Sequence, residues 1–342
     1  MSAPHVSAIT PLQAIEGGRV SIEGSDFPID GPALPEVRIG DAPARIVFAS
    51  RTRLGVVVPA GLEPGRTPVR IAGVTGVTPF IDVAAPFATG LHQVDNPVFD
   101  RDGNLYVTFS GTRGQQVPVS IFRVTPNGTR ETFSSGIVNP TSMAMDPEGR
   151  LYVSSRFEGT VYRVAADGSV ESFATDLGVA CGLAFAADGT LFVGDRSGTI
   201  FRVNAAGRAE TFASLPSSVA AFHLAMGPDR ALYVTGPTLA SRDALYRIDP
   251  AGEVTTRYAA FGRPQGLAFD ASGSLFVVEA LAGSSGLYRV PLDDDPEMVL
   301  AGPGLVGIAF DQHGTIVVVS NETAYRLPAT AALRMRNASL VS

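Results

Sequence analysis

Phe122-Arg123-Val124 returns along the chain as Tyr162-Arg163-Val164, Phe201-Arg202-Val203, Tyr246-Arg247-Ile248, Tyr288-Arg289-Val290 and Tyr325-Arg326-Leu327. The aromatic residues are separated by steps of 40, 39, 45, 42 and 37 residues. A near-constant period in this range marks a repeat architecture, in which one small unit recurs and buries its apolar face on its neighbours. Each copy follows an apolar segment such as Leu105-Tyr106-Val107, Leu151-Tyr152-Val153 or Leu275-Phe276-Val277. Ahead of that segment stands a D-x-x-G turn, as from Asp100 to Gly103, Asp146 to Gly149 and Asp270 to Gly273. Behind each copy come a turn such as Ala166-Asp167-Gly168 and a last apolar stretch near Phe133, Phe173, Phe212, Tyr258 or Leu300. Four short strands per period, six periods over, predict a six-bladed β-propeller and an all-β chain.

The ring has to close, because an unpaired blade edge invites aggregation. Phe133 precedes Thr141 by eight residues, Phe173 precedes Cys181 by eight, and Phe87 precedes Asp95 by the same eight. Phe87 lies before the first full repeat, while the sixth repeat stops after Arg326-Leu327. Residues from about 83 to about 89 are therefore expected to supply the outer strand of the last blade. The propeller is expected over 83–328, with 329–342 as a surface tail.

The first part of the chain has a different texture. Val20-Ser21-Ile22, Val37-Arg38-Ile39, Arg45-Ile46-Val47-Phe48, Leu54-Gly55-Val56-Val57-Val58 and Val69-Arg70-Ile71 are short β-branched runs broken by Gly, Pro and Asp. Such a pattern predicts a small antiparallel sandwich over 5–82. Its sequence of elements, from Ile9-Thr10-Pro11 through Glu16-Gly17-Gly18 to Val69-Arg70-Ile71, resembles the IPT/TIG immunoglobulin-like domains. That resemblance implies a spacer or contact surface. Some relatives bind DNA through loop arginines, but Arg51 and Arg53 read as a solvated turn.

Composition narrows the chemistry. All 26 basic residues are Arg, so a P-loop lysine, a Schiff base and a Ser-Lys mechanism are excluded. A net charge of −7 argues against nucleic acid as a partner. The single cysteine, Cys181, leaves no intrachain disulfide framework. No basic and apolar leader opens the chain and no apolar run is long enough to span a bilayer. The expected location is cytoplasmic, or secreted or periplasmic if a leader was removed, with no membrane partner. The Asp100–Asn104 stretch resembles the start of a calcium loop, yet Gly111 stands where the twelfth-position Glu is needed. It reads as a hairpin turn. The repeated arginines read as structural pairs on the third strands.

In a propeller the first strand of each blade lines the axis. Aligning the repeats puts Asp95, Thr141, Cys181, Phe222, Gln265 and Val306 there, with Asn96, Asn139, Ser142 and His223 beside them. Loops between second and third strands should rise around the same mouth, carrying Arg113, Arg156, Glu158, Asp195, Arg196, Arg242, Glu279 and Asn321. His92 and His223 can approach the mouth with Asp95, while His313 sits in a solvated hairpin turn. Cys181 would be a nucleophile only beside a cation that lowers its pKa.

The strings from Val94 to Val107, Cys181 to Val193 and Gln265 to Val277 resemble the gluconolactonase/regucalcin (senescence marker protein) family and the NHL-repeat propellers. In that family an axial Glu, Asn and Asp hold a divalent metal that polarises a sugar lactone. Carried over, the Glu falls on Asp95, the Asn on Cys181, and the Asp on Phe222 or Gln265. Asn139 lies near the substrate-contacting position. Only Asp95 remains a metal candidate, for calcium, magnesium, manganese or zinc. Streptogramin lyases, with paired histidines and Mg²⁺, differ in blade number and motif. The leading expectation is a binding propeller that takes a small polar molecule or a partner protein's loop at the channel mouth. A metal-dependent lactone or ester hydrolase and a non-catalytic scaffold are the alternatives.

Overall fold

Every described element is a β-strand, and the computed structural model describes residues 3–291 and 294–327. The segment 329–342, expected as a tail, lies outside the described residues. The chain begins with an immunoglobulin-like module of two-faced strands. In Arg19–Ser25 the buried residues are Val20 and Ile22, two apart, as a half-buried strand requires. They join Phe27, Ile39, Leu54, Val56, Val69 and Ile81 in one core, where each of these eight residues is at most 1% exposed.

The repeats fold as the period predicts, with one difference. Five four-stranded sheets stand alone. The first holds Val98–Phe99, Leu105–Thr108, Ile121–Val124 and Arg130–Ser134, and the second Pro140–Met145, Leu151–Ser155, Thr160–Val164 and Val170–Ala174. The third runs from Ala180–Phe185 to Ala209–Ser214 and the fourth from His223–Met226 to Val254–Phe261. The sixth repeat pairs Leu305–Phe310, Ile316–Ser320 and Thr323–Leu327 with Ala85–Thr89, so the start of the ring seals its end. The closing strand lies in the expected stretch and begins at Ala85, because Val83 is paired to Gly65 inside the N-terminal module.

The fifth repeat is the exception to six equivalent free blades. Its strands, Pro264–Phe269, Leu275–Glu279, Gly286–Val290 and Glu297–Ala301, keep the four-strand order but sit at one end of a 12-stranded sheet. Gln13–Ala14 makes the join. It pairs in parallel with Glu297–Ala301 on one side and with Phe80–Val83 on the other. Ile15 then donates to the Ala301 carbonyl at 3.0 Å and packs with Leu300, Leu305 and Leu287. An outer edge that would otherwise be open is capped by the N-terminal module.

The repeated arginines prove structural. Arg123, Arg163, Arg202 and Arg289 each pair with a glutamate eight residues on, across the third and fourth strands: Glu131, Glu171, Glu210 and Glu297. In the fourth blade Thr255 stands opposite Arg247, which turns to Asp229 at 2.8 Å instead. At the seam the partner strand offers Ala85, and the Arg326 guanidinium lies 3.7 Å over the Phe87 ring. The D-x-x-G carboxylates serve their own turns. Asp100 accepts from the backbone N–H groups of Asp102 and Asn104, and Asp270 from those of Ser272 and Ser274. These are Asx-type hairpin turns.

First strands touch in a cyclic order that returns from the sixth repeat to the first. At Gly307 the backbone of Asp95 and Asn96 comes so close that any Cβ would collide with it. That close approach brings the segment before the first blade onto the axis. Asn96 holds it there, donating to the Leu267 carbonyl and accepting from the Ile308 amide.

Candidate functional site at the channel mouth

The segment from Leu91 to Asn96 is threaded between backbone partners. Leu91 and Gln93 donate to the carbonyls of Glu322 and Asn321, and Ser110 donates to the His92 carbonyl. The Gln93 side chain, fully buried, donates to the Asp95 carbonyl at 2.7 Å and accepts from the Thr108 amide at 2.6 Å. Asp95 thereby has a fixed backbone. Its carboxylate Oδ1 lies 2.5 Å from Nδ1 of His223, the first residue of the fourth repeat's inner strand. First and fourth repeats are three steps apart in the cyclic order, so this contact crosses the axis. Asp95 is 1% exposed and His223 0%. The other ring nitrogen of His223, Nε2, is buried with no hydrogen-bond partner among the described residues.

Two more buried polar atoms lack partners close by, His92 Nδ1 and Ser110 Oγ. The His92 ring tilts against Phe109 at 5.8 Å. Burial, and then the Arg156 charge, hold its pKa below the ordinary histidine value, with Glu322 opposing. Arg156 follows the second strand of the second repeat and makes no ion pair among the described residues. Its pKa is lowered, first by burial and further by the like charges of Arg196 and Arg113. Cys181 alone counters this. The three arginines lie on corresponding loops of the first three repeats, which places them around one rim.

The remaining sequence candidates are employed in building the loops. Asn139, fully buried at φ 48°, donates to the carbonyls of Ser110 and Thr112 and accepts from the Gly114 amide, pinning the loop that carries Arg113. Thr141 donates to the Asn139 carbonyl, and Ser142 accepts from the Leu183 amide. Asp195 accepts from Val179 N and from Ser197, while Glu279 accepts from the amides of Gly262, Arg263 and Leu281. Arg196 Nε donates to the Ser218 carbonyl. Glu158 accepts from the Tyr162 hydroxyl and Arg242 donates to the Ala260 carbonyl. Phe222 and Val306 pack into apolar clusters between repeats. Gln265 is half-buried on the inner strand of the fifth repeat.

Cys181 is 1% exposed, and its thiol donates to the Val179 carbonyl. Burial pushes its pKa up to about 12, so at neutral pH it is a thiol and not a nucleophile. A divalent metal does not fit this residue set. Among the described residues no three His, Cys, Asp or Glu side chains gather as a metal site. The Asp95 carboxylate, the one candidate ligand, is engaged by His223. Gln93 is the residue that repeat alignment misses, because it precedes the first strand of the first blade and has no counterpart to align with.

The IPT/TIG domain family matches residues 4–80. Among curated proteins none matches the chain. Several solved structures share its fold. A gluconolactonase-like protein superposes with a TM-score of 0.58 at 19% identity over 71% of this chain and 91% of its own. An auxiliary nutrient binding protein from Bacteroides ovatus gives 0.54 at 14%, covering 96% of this chain and 98% of its own. Virginiamycin B lyase from Staphylococcus aureus, in a catalytically inactive form with quinupristin, gives 0.52 at 15%, covering 95% and 96%. At these identities the likeness is one of fold.

Proposed function

We propose that the protein is a binding propeller that takes a small polar ligand, or a partner's polar loop, at the mouth formed by the first four repeats. In this reading the four strands fused to the N-terminal module act as the sixth blade. The N-terminal module acts as a brace and an additional contact surface. One observation carries the reading. Of the four buried side-chain polar atoms without a partner among the described residues, three are linked through the segment from Leu91 to Asn96: His92 Nδ1 lies on it, Ser110 Oγ belongs to a residue bonded to the His92 carbonyl, and His223 Nε2 to the ring that meets Asp95. Buried polar groups are nearly always satisfied, so unspent capacity gathered in one place is what a ligand-binding site offers.

The test is a thermal-shift and calorimetric screen of the full chain against neutral sugars, carboxylates and phosphates. A ligand present at a hundredfold excess over its Kd stabilises by about 2.7 kcal/mol. At least one compound is expected to bind one-to-one and to lose that binding in His92→Ala. No shift from any member of the panel would sink the proposal.

Lactone or ester hydrolysis is the second reading: the fold shared with a gluconolactonase-like protein supports it, and the lack of a gathered metal site among the described residues weighs against it. A titration with calcium, magnesium, manganese or zinc decides. Stabilisation by micromolar metal that disappears in Asp95→Ala would move the balance to hydrolysis.

A further inference from the structure

We infer that the ligand of this mouth is an organic anion, a carboxylate or phosphate on an apolar body, with Arg156 as its principal contact. The inference rests on the binding reading above and adds the chemical class. Its first ground is charge. Arg156, Arg113 and Arg196 are close enough for each to act electrostatically on the first. No ion pair with a carboxylate relieves Arg156 or Arg113 among the described residues. By contrast, the repeated third-strand arginines from the first to the fifth repeat all have acidic partners. Three of the nearby acids are engaged elsewhere: Asp95 with His223, Asp195 with Val179 N and Ser197, and Glu158 with Tyr162. Arg156 and Arg113 therefore keep guanidinium donors that no carboxylate takes up among the described residues. Unrelieved guanidinium groups, with fork-shaped donors and weak hydration, suit carboxylate and phosphate oxygens.

The second ground is the apolar surface on the same loops. Phe157, next to Arg156, is 54% exposed, and Gly114 of the Arg113 loop lies against its ring. Val179 is 36% exposed, and its carbonyl accepts from the Arg196 amide. Each cation thus has apolar surface beside it, held in place by a backbone contact. An inorganic anion would leave that surface wet, whereas an aromatic or aliphatic acid would cover it.

The probes are phenylacetate and phenyl phosphate, with phenylacetamide as the neutral counterpart and inorganic phosphate as the bare anion. Calorimetry on the full chain should give both aromatic anions at least about tenfold tighter binding than phenylacetamide, weakening as salt is raised. Arg156→Gln should lose about tenfold or more, and Arg113→Gln less, while Arg208→Gln, on a turn, should be silent. Matching thermal midpoints would show that Arg156→Gln still folds. Equal affinity for the acid and the amide, or full affinity in a folded Arg156→Gln, overturns the inference and leaves the binding reading intact. Inorganic phosphate binding as tightly as phenyl phosphate removes the apolar part. Failure of these probes together with every neutral sugar brings down both.

Discussion

Asp95 and His223 meet 2.5 Å apart in a place almost without solvent, and among the described residues each side chain has the other as its one hydrogen-bond partner. Removing one partner of a buried pair costs about 3–5 kcal/mol, because the survivor stays desolvated and alone. Asp95→Ala is expected to destabilise at the lower end of that range, read as a fall in the urea midpoint at constant m-value. His92 supplies a pH handle. Its pKa is lowered in the folded protein, so the unfolded chain takes up a proton first, and stability falls as pH drops from about 6.5. Thermal midpoints measured between pH 7.5 and 5 should decline less in His92→Asn than in the wild type. How much of this site could be read in the sequence varies residue by residue. Repeat alignment places Asp95, Cys181 and Phe222 at equivalent positions, and the approach of His223 to Asp95 follows from both lying near the axis. What alignment hides is occupancy. Asn139, Asp195 and Glu279 look like free polar groups in the sequence, but their oxygens and nitrogens are already bonded to loop backbone. A one-dimensional string records which groups are polar, not which are already satisfied.

Strands and turns were far more legible, since their signals are local. The aromatic-Arg-aliphatic motif works because a strand alternates its faces: the flanking residues enter the core and the Arg reaches sideways to a Glu on the next strand. These pairs are half-exposed, and such pairs contribute little. Arg123→Ala should cost less than about 1 kcal/mol. Ala88→Asp should be far worse, because Ala88 is 7% exposed in the closing strand and packs with Leu91, Val319 and Ala324. A buried unpaired carboxylate there is expected to lower the denaturation midpoint several times more than the lost ion pair, checked in parallel by urea titration. The closing strand itself was visible because Phe87 repeats the outer-strand spacing without a blade of its own. The exit point was not, since Val83 and Ala85 belong to different sheets yet share one apolar run.

At the scale of the molecule, sequence periodicity said nothing about the join between the two parts. Gln13–Ala14 is only two residues long and carries no strand signature, yet it links the N-terminal module to the fifth repeat in one hydrogen-bonded sheet. A chain cut to residues 84–327 would expose the edge of Glu297–Ala301 and the apolar surface around Leu300 that Ile15 covers. Size-exclusion chromatography should show more association or aggregation for that fragment than for the full chain, and a stable monomeric fragment would refute the bracing role. The seam between Ala85–Thr89 and Thr323–Leu327 has its own consequence in time. A ribosome delivers the first of these strands early and the second almost last, so the newborn circle stays open through most of synthesis. Until the final stretch emerges, its first strand is an unmated ribbon, open to pairing with the wrong chain.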